Sequence, residues 1–391
     1  MDGDGRKWIG RRPGRAEQRS GGDGGGGRPG GSGGGDEDEP FTVSSSTRAD
    51  GTTVIDITLG PTMSLALKYR HEIGEYGMTD SRTLRTGTAY ARFLMEQNEV
   101  AEAVTTYRQI AAARRASLGP DHPDTLASEH SLAFALFTQG AYTEAARVQR
   151  TVYDRRCRVL GEEEPDTLTS GTNLGEILLH LGRPDQAEPV QRKVADGMAR
   201  TLGEDAPETL LARMKLVGAL RSLGRLEDAE RVCAAAAAGL ERAEGRTSPR
   251  TLQARSNHVT VLISLGRARE ALGKARPLLR EAERALGPDH EVTLHARHGL
   301  ADALDHCGRS RKAARALEEV VAGYERAHGA DHPATLQARS ALAEVLAAVG
   351  DRAGAEREAR ACLAGRERTL GPGHPDTEWV RALLARVREA R

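Results

Sequence analysis

Apolar residues recur at helical spacing along most of this chain, in blocks separated by turn residues. Leucines and alanines in residues 126–136 fall on one face of a predicted helix, which Gly140 ends. Alanine and valines in residues 145–159 fall on one face of a second, longer helix. The pattern therefore predicts two antiparallel helices joined by a tight turn.

This pair of blocks returns every 42 residues, because a nine-residue phrase, LGPDHPDTL at 118–126, recurs in front of each first helix. Glycine holds the second place of the phrase in all eight copies, at Gly77, Gly119, Gly161, Gly203, Gly245, Gly287, Gly329 and Gly371. Threonine holds the eighth place, at Thr83, Thr125, Thr167, Thr209, Thr251, Thr293, Thr335 and Thr377. Self-similarity at a fixed period of this size predicts a solenoid of stacked units.

The residues of the phrase predict where the helices end and begin. Gly119 ends the preceding helix, since glycine adopts a positive φ without steric cost. Pro123 begins the next helix, because a first-turn residue needs no amide donor. We therefore predict an all-α fold, an α-solenoid superhelix of about seven antiparallel helix pairs plus a C-terminal capping helix near 376–390. The pairs should begin near residues 79, 121, 163, 205, 247, 289 and 331.

The first 60 residues differ from the repeats in composition. Residues 1–40 are dominated by Gly, Asp and Arg, and too little apolar surface is present to offset the entropy of ordering, which predicts a disordered tail. Its alternative role is recruitment, with the basic and acidic blocks contacting a partner. Residues 41–60 are rich in β-branched residues around Ala49-Asp50-Gly51, which favours a short β-hairpin. Residues 61–391 form the predicted repeat array.

Charge and cysteine usage narrow the function classes. Basic and acidic residues each number 56, so the formal net charge is zero and no overall field favours nucleic acid or a membrane surface. The four cysteines lie at different places in the repeat without CxxC spacing, so neither a zinc site nor a disulfide framework is predicted. The sequence contains no run of about 18 apolar residues, so it suggests neither a membrane span nor an export signal. We expect a cytoplasmic protein, and the abundance of Ala, Gly and Arg favours a bacterial source.

The unit resembles the tetratricopeptide repeat. Leucine at the eleventh place, glycine at the fifteenth and alanine at the twentieth are similar to that pattern, as in Leu136, Gly140 and Ala145. The 42-residue length and the LGPDHPDTL joint resemble the kinesin-light-chain type of the repeat, over about residues 78–391. The early tryptophan of the generic pattern is absent. The resemblance implies that the first helices line a concave groove that binds a peptide or a partner domain.

The same resemblance implies which side chains line the groove, by their place in the repeat. They are Phe134, Asn173, Glu176, Met214, Lys215, Arg221, Asn257, Thr260, His298, Asp302 and His306. The alternative for each residue taken singly is an exposed helix position without a ligand.

One helix carries a candidate for chemistry. His298, Asp302 and His306 lie at i, i+4 and i+8, and His295 and Asp305 lie alongside. Histidine and aspartate at this spacing can bind a metal or transfer protons. No other unit supplies a matching cluster, and neither an HExxH motif nor a nucleophile–base pair occurs. We therefore expect no catalytic residue, no metal and no cofactor, with an enzyme or enzyme-regulatory subunit as the alternative.

The sequence thus predicts a non-catalytic protein–protein interaction scaffold that holds a peptide or partner domain in its groove. We expect neither nucleic acid nor membrane as a partner. Repeats of this type also occur behind nucleotide-binding switch domains, but the stretch from Gly266 to Lys274 lacks P-loop spacing. A switch protein would therefore be a separate partner chain. The joint histidines, His122, His290, His332 and His374, are predicted to be structural.

Overall fold

A computed structural model of the protein describes residues 41–47, 53–59 and 61–389, with side chains described from residue 64 to residue 389. The predicted tail at 1–40 and the predicted turn Ala49-Asp50-Gly51 lie outside the described residues. The chain divides into two units, residues 1–64 and 65–391.

The described part of the first unit contains two strands. β1 (Phe41–Thr47) and β2 (Thr53–Leu59) pair antiparallel, with Phe41 opposite Leu59 and Thr47 opposite Thr53. The β-branched stretches on either side of the predicted turn therefore form the two strands of the expected hairpin.

From residue 61 onward the described chain is a succession of α-helices. They are α1 (Pro61–Tyr76), α2 (Ser81–Glu96), α3 (Val100–Leu118), α4 (Pro123–Thr138), α5 (Tyr142–Val159), α6 (Pro165–His180), α7 (Pro184–Leu202), α8 (Pro207–Ser222), α9 (Leu226–Glu244), α10 (Pro249–Ser264), α11 (Ala268–Leu286), α12 (Glu291–His306), α13 (Ser310–His328), α14 (Pro333–Ala348), α15 (Arg352–Leu370) and α16 (Pro375–Glu389). The even-numbered helices are the first helices of the units, and each begins 42 residues after the one before. This arrangement confirms the predicted all-α solenoid.

The turn between the two helices of a pair has a fixed geometry. Gly140 has a φ of 84°, and Asn98, at the equivalent place in the first pair, has a φ of 62°. Both values lie in the left-handed region, which glycine enters freely and asparagine tolerates better than most residues. This turn reverses the chain so that the second helix packs back on the first.

The core lies between the helices of each pair and between successive pairs. The alanine four residues into each second helix, such as Ala103 or Ala145, is fully buried. A larger side chain there would overpack the helix contact, at about 1–3 kcal/mol. One apolar cluster is continuous from Leu252 to Val387, whereas the core between Tyr153 and Val261 is divided into smaller clusters.

The last helix closes the described array. Val380, Leu383, Leu384 and Val387 of α16 are buried on α14 and α15. Arg388 pairs with Glu356 of α15 at 2.7 Å. The helix therefore has one apolar side and one charged side, as the predicted capping helix requires. Among the described residues, no helix combines the length and the apolar composition that crossing a membrane requires.

Candidate functional site

The first helices present one face in common. On α8 this face carries Met214, Lys215, Gly218, Arg221 and Ser222, which fall on one side of the helix by spacing. Along the array, α4 contacts α6, α6 contacts α8, α8 contacts α10, and α10 packs closely against α12. The equivalent side chains of neighbouring first helices therefore form a continuous surface, which we call the groove face.

Asn173 of the groove face is held by a buried polar network. Its Nδ2 lies 3.4 Å from His130 Nε2, and Gln149 Nε2 lies 3.1 Å from His130 Nδ1. Gln149 also donates to the Ser170 carbonyl oxygen at 2.9 Å. Burial is the main cause that lowers the pKa of His130 to about 4, and nearby Arg156 lowers it further. His130 is therefore neutral and forms part of the floor beneath Asn173.

An aromatic cluster lies where α4, α5 and α6 meet. The Phe137 ring is 5.4 Å from the Tyr142 ring and 4.9 Å from the His180 ring, measured between centroids. Tyr142 and His180 stack at 5.4 Å. Phe134, one turn before Phe137, is partly buried on the groove face. Phe137, Tyr142 and His180 thus bring three rings into contact where these helices meet.

The charged side chains in the middle of the groove face differ in their partners. Lys215 Nζ lies 3.2 Å from Glu176 Oε2, so these two predicted groove residues neutralise each other. Arg221 donates to Ser264 Oγ at 3.5 Å, and no carboxylate of the described residues lies within ion-pair distance of it. Met214 is partly buried and packs on the core clusters beneath the face. Arg221 is thus a groove cation that is open to an anionic ligand.

A cleft of about 440 Å³ opens beside Arg221. Its lining comprises Leu179 of α6, Gly218, Arg221 and Ser222 of α8, Leu226 of α9, and Ser264 of α10. Gly218 leaves the floor open, because the equivalent positions carry the side chains of Phe134, Glu176, Thr260 and Asp302. The cleft therefore combines apolar walls, two hydroxyls and one guanidinium.

Two further predicted groove residues bond within their own helix. Asn257 Oδ1 accepts from Gln253 Nε2 at 3.2 Å, and Thr260 Oγ1 donates to the Ser256 carbonyl oxygen at 3.3 Å. Both are partly buried on α10. Neither joins a cluster with the other predicted residues.

The histidine and aspartate stripe of α12 is present on the groove face but does not converge on one point. His298 Nε2 lies 3.7 Å from Asp302 Oδ1, and His306 Nδ1 lies 2.9 Å from the Asp302 carbonyl oxygen. Burial raises the pKa of Asp302, although His298 and His306 act against the rise. Burial also lowers the pKa of His295 to about 4.

No metal site emerges from this stripe. Across the side chains described from residue 64 to residue 389, no three His, Cys, Asp or Glu side chains are placed to hold one metal ion. Beside the stripe, His295 Nε2 is buried and has no hydrogen-bond partner among the described residues.

The joint histidines have a different task. Nδ1 of His122 accepts the backbone amide of Asp124 at 3.1 Å, and Nδ1 of His290 accepts that of Val292 at 3.1 Å. His332 and His374 make the same bond, at 3.3 Å and 3.2 Å. Each histidine thus caps the N-terminus of a first helix, where backbone donors have no helical partner.

The sequence prediction missed the network residues His130 and Gln149 and, among the residues that line the cleft, Leu179, Gly218, Ser222, Leu226 and Ser264. His130 occupies the same repeat position as Met214 and His298, so the repeat alignment contained the signal for it. Gln149 lies on a second helix, outside the positions implied by the resemblance. The sequence contains no comparable signal for Gln149.

Comparison with known proteins gives consistent matches for the repeat region. Models of the tetratricopeptide repeat match residues 82–158, 164–232 and 250–326, and a second such model matches residues 335–376. A tetratricopeptide repeat protein from Parabacteroides merdae is similar in structure, with a TM-score of 0.57 and 17% identity over 79% of this chain and 100% of that chain. No curated protein matches the sequence.

Two other solved structures are similar with lower TM-scores. TPR-like repeats of a kinesin-light-chain-like protein from Podosopora anserina have a TM-score of 0.38 and 23% identity, over 62% of this chain and 95% of that chain. A Rap protein complexed with Competence and Sporulation Factor has a TM-score of 0.46 and 12% identity, over 84% of this chain and 98% of that chain.

Proposed function

This chain belongs to the tetratricopeptide repeat family, and from that premise we propose that its groove face binds a peptide segment of a partner protein. Proteins of this family commonly serve as scaffolds for protein–protein interaction. Repeat arrays create an extended surface, and such surfaces are used for binding. The protein is, in this proposal, an adaptor without catalysis in the cytoplasm of a bacterium.

The cleft at Arg221 is the observation that carries the proposal. Among the residues that the structure describes, its guanidinium has no carboxylate partner, and the open floor at Gly218 gives a ligand access to it. A guanidinium presents fixed donors that match a carboxylate in two parallel hydrogen bonds. Leu179 and Leu226 offer apolar contact on either side. The cleft therefore suits a peptide with an acidic group next to an apolar side chain.

The surroundings of the cleft extend this surface along the array. Leu179 is followed by His180, which belongs to the aromatic cluster with Phe137 and Tyr142. On the other side, α10 presents Asn257 and Thr260, and α12 presents Asp302. The proposed ligand thus lies across several first helices, held by apolar contact near α4 and α6 and by its acidic group at α8. The stripe on α12 serves as polar lining.

A substitution that fills the cleft tests the proposal. Ligands for the full chain would be selected from a displayed random-peptide library and measured by fluorescence anisotropy. At Gly218 a Cβ would meet only Leu179 Cδ1, at 3.5 Å, which is ordinary contact, so Gly218→Leu should fold and occupy the cleft. The matched control is Gly273→Leu in α11, where a Cβ meets nothing within 4 Å.

We expect Gly218→Leu and Arg221→Glu to weaken the selected peptides by about tenfold or more, since both remove interactions at a buried contact. Gly273→Leu should bind them as the unmodified chain does. A library that yields no peptide, or peptides that bind all these proteins equally, would contradict the assignment of the ligand to this cleft.

A further inference from the structure

The outer side of α11 carries a row of exposed cations. Arg269, Arg276, Arg280 and Arg284 are exposed and lie at i, i+7, i+11 and i+15, so they form one stripe along about 22 Å of helix. In the part of the chain that the structure describes, none of the four has a carboxylate within ion-pair distance, although ion pairs are frequent elsewhere in the array. Their accumulation contrasts with the zero net charge of the chain.

The carboxylates of α11 are engaged elsewhere. Glu270 pairs with Arg267 at 2.5 Å, and Glu283 pairs with Arg297 of α12 at 2.6 Å. Glu281 pairs with two other arginines, Arg246 and Arg255. The acidic residues of this helix thus stabilise its own turns and joints, while its outer arginines remain uncompensated.

Other units show what is missing beside Arg276. In the first pair, Arg108 pairs with Glu144 of the next second helix at 3.0 Å, across 36 residues. Arg276 is the equivalent of Arg108, and the residue 36 positions after Arg276 is Lys312. Lys312 and the preceding Arg311 are both exposed. A cation therefore stands at the repeat position that Glu144 occupies in the earlier unit.

The residue at the pairing position of Arg284 also differs from that in other units. At its place in other units, Arg200 pairs with Glu163 and Arg326 with Asp289, both at 2.5 Å and across 37 residues. The corresponding residue for Arg284 is Thr247, which carries no charge. The place of Arg284 thus pairs with a carboxylate in other units, and the place of Arg276 does so in the first pair, whereas Thr247 and Lys312 stand at the partner positions here.

We propose that this surface, made of the four outer arginines of α11 with Arg311 and Lys312 of α13, docks an acidic helix of a second protein. We call it the α11 basic surface. The partner's carboxylates would take the places that Glu144, Glu163 and Asp289 take in other units. An α-helix with acidic residues at i, i+7 and i+11 carries its carboxylates at the same intervals along the helix axis as the arginines of the stripe.

Features of the surface argue for carboxylates of a protein rather than for other anions. The sequence of α11, AREALGKARPLLREAERAL, contains no aromatic residue on which a nucleic-acid base could stack. No large hydrophobic side chain is exposed between Leu223 and Leu370, so the surface offers nothing to insert into a membrane. Gly273 and Pro277 lie along the same stripe and leave room for a helix to approach.

The test measures binding of labelled peptides to the full chain at physiological ionic strength. The probe is an 18-residue alanine-based helix with glutamates at i, i+4, i+7, i+11 and i+15. Its controls are a peptide with the same glutamates in scrambled order and one with lysines in their place. The variant is R276E/R280E, and its matched control is K68E/R70E, which changes charge equally at two exposed cations of α1.

We expect the helical glutamate peptide to bind more tightly than the scrambled one, and R276E/R280E to weaken it about tenfold. K68E/R70E and Gly218→Leu should leave it unchanged, which separates this surface from the groove. R276E/R280E should keep the thermal unfolding temperature of the unmodified chain, which shows that it is folded. Equal binding by both double variants, absence of binding, or tighter binding of a 20-base-pair DNA duplex or phosphatidylserine vesicles through Arg276 and Arg280 would overturn the proposal.

Discussion

Thr209 donates its hydroxyl hydrogen to the carbonyl oxygen of Gly203 across 2.8 Å. The glycine ends a second helix, and the threonine lies in the first turn of the next helix, so this bond closes the joint between two units. The same bond joins Thr335 to Gly329 at 2.8 Å and Thr377 to Gly371 at 2.9 Å. At these three joints it gives a physical reason for the six-residue spacing between the glycine and the threonine of the phrase.

The joint bond should contribute measurably to stability. We expect Thr335→Val to lower the free energy of unfolding by about 1 kcal/mol, because the shape is kept while a buried hydrogen bond is lost. Thr293→Val is the matched control, since the buried Thr293 hydroxyl has no hydrogen-bond partner within the described part of the chain. It should be neutral or slightly stabilising in urea-induced unfolding. Equal losses in the two variants would show that packing of the threonine methyl, rather than its hydroxyl, is what the joint requires.

A second prediction concerns the helix caps. His122→Ala should lower the free energy of unfolding by about 1 kcal/mol, because Nδ1 no longer accepts the Asp124 amide. Glu164 occupies the same place before α6 but makes no side-chain cap bond. Glu164→Ala should therefore cost less in the same thermal unfolding experiment, and His122→Asn should recover most of the loss. Equal destabilisation of the two alanine variants would show that the histidine cap does not add to the free energy of unfolding.

The positions of the helices could be predicted from sequence because their causes are local. Pro123 begins α4 and Gly140 ends the turn after it, and both residues act through their own backbone geometry. The period of 42 residues then transfers this information to every unit. Even Asn98, which replaces the glycine in the first pair, has the left-handed φ that the alignment implies.

The site could be predicted only in part, because its details depend on contacts between units. Repeat position placed Arg221 on the groove face, but it did not reveal that Lys215 is neutralised by Glu176 while Arg221 is open. The cleft exists because Gly218 lacks a side chain, and a glycine has no functional group that would mark a binding site in the sequence. The ion pairs of Glu281 on α11 reach Arg246 in the joint after α9 and Arg255 on α10, which no spacing rule predicts.

Stability should vary along the array, with a soft region near residues 233–258. Helix α9 buries mainly small side chains there, such as Ala236 and Ala237, and the local core clusters are small. Less apolar area per residue lowers the cost of local opening. Backbone amides in 233–244 should therefore exchange with solvent faster than those in 168–180 or 335–348. Equal protection in hydrogen exchange would mean that the alanine helix packs as well as its neighbours.

Glu281 should limit that opening. It accepts hydrogen bonds from Arg246, at 3.0 and 3.1 Å, and from Arg255 at 2.7 Å, so it connects the joint at Gly245 to α10 and α11. Glu281→Gln should accelerate exchange further in 233–258 and make it less sensitive to salt, since the ion pairs are gone. Glu270→Gln, which affects only the exposed pair with Arg267, is the control. Unchanged exchange in Glu281→Gln would show that the joint is held by packing alone.

The buried His130 predicts a loss of stability in weak acid. Its pKa is lowered from 6.5 to about 4, mainly by burial, so the unfolded chain takes up a proton between these values and the folded chain does not. Its contribution is therefore complete above pH 6.5 and is lost as the pH falls towards 4, by roughly 3 kcal/mol at most. His130→Gln cannot titrate, and we expect its thermal unfolding temperature to change less with pH over this window than that of the unmodified chain. His180→Gln, which replaces the exposed histidine of the aromatic cluster, controls for the loss of a histidine. Parallel pH profiles for the chain and His130→Gln would mean that His130 is protonated in the fold, and that Asn173 is held in another way.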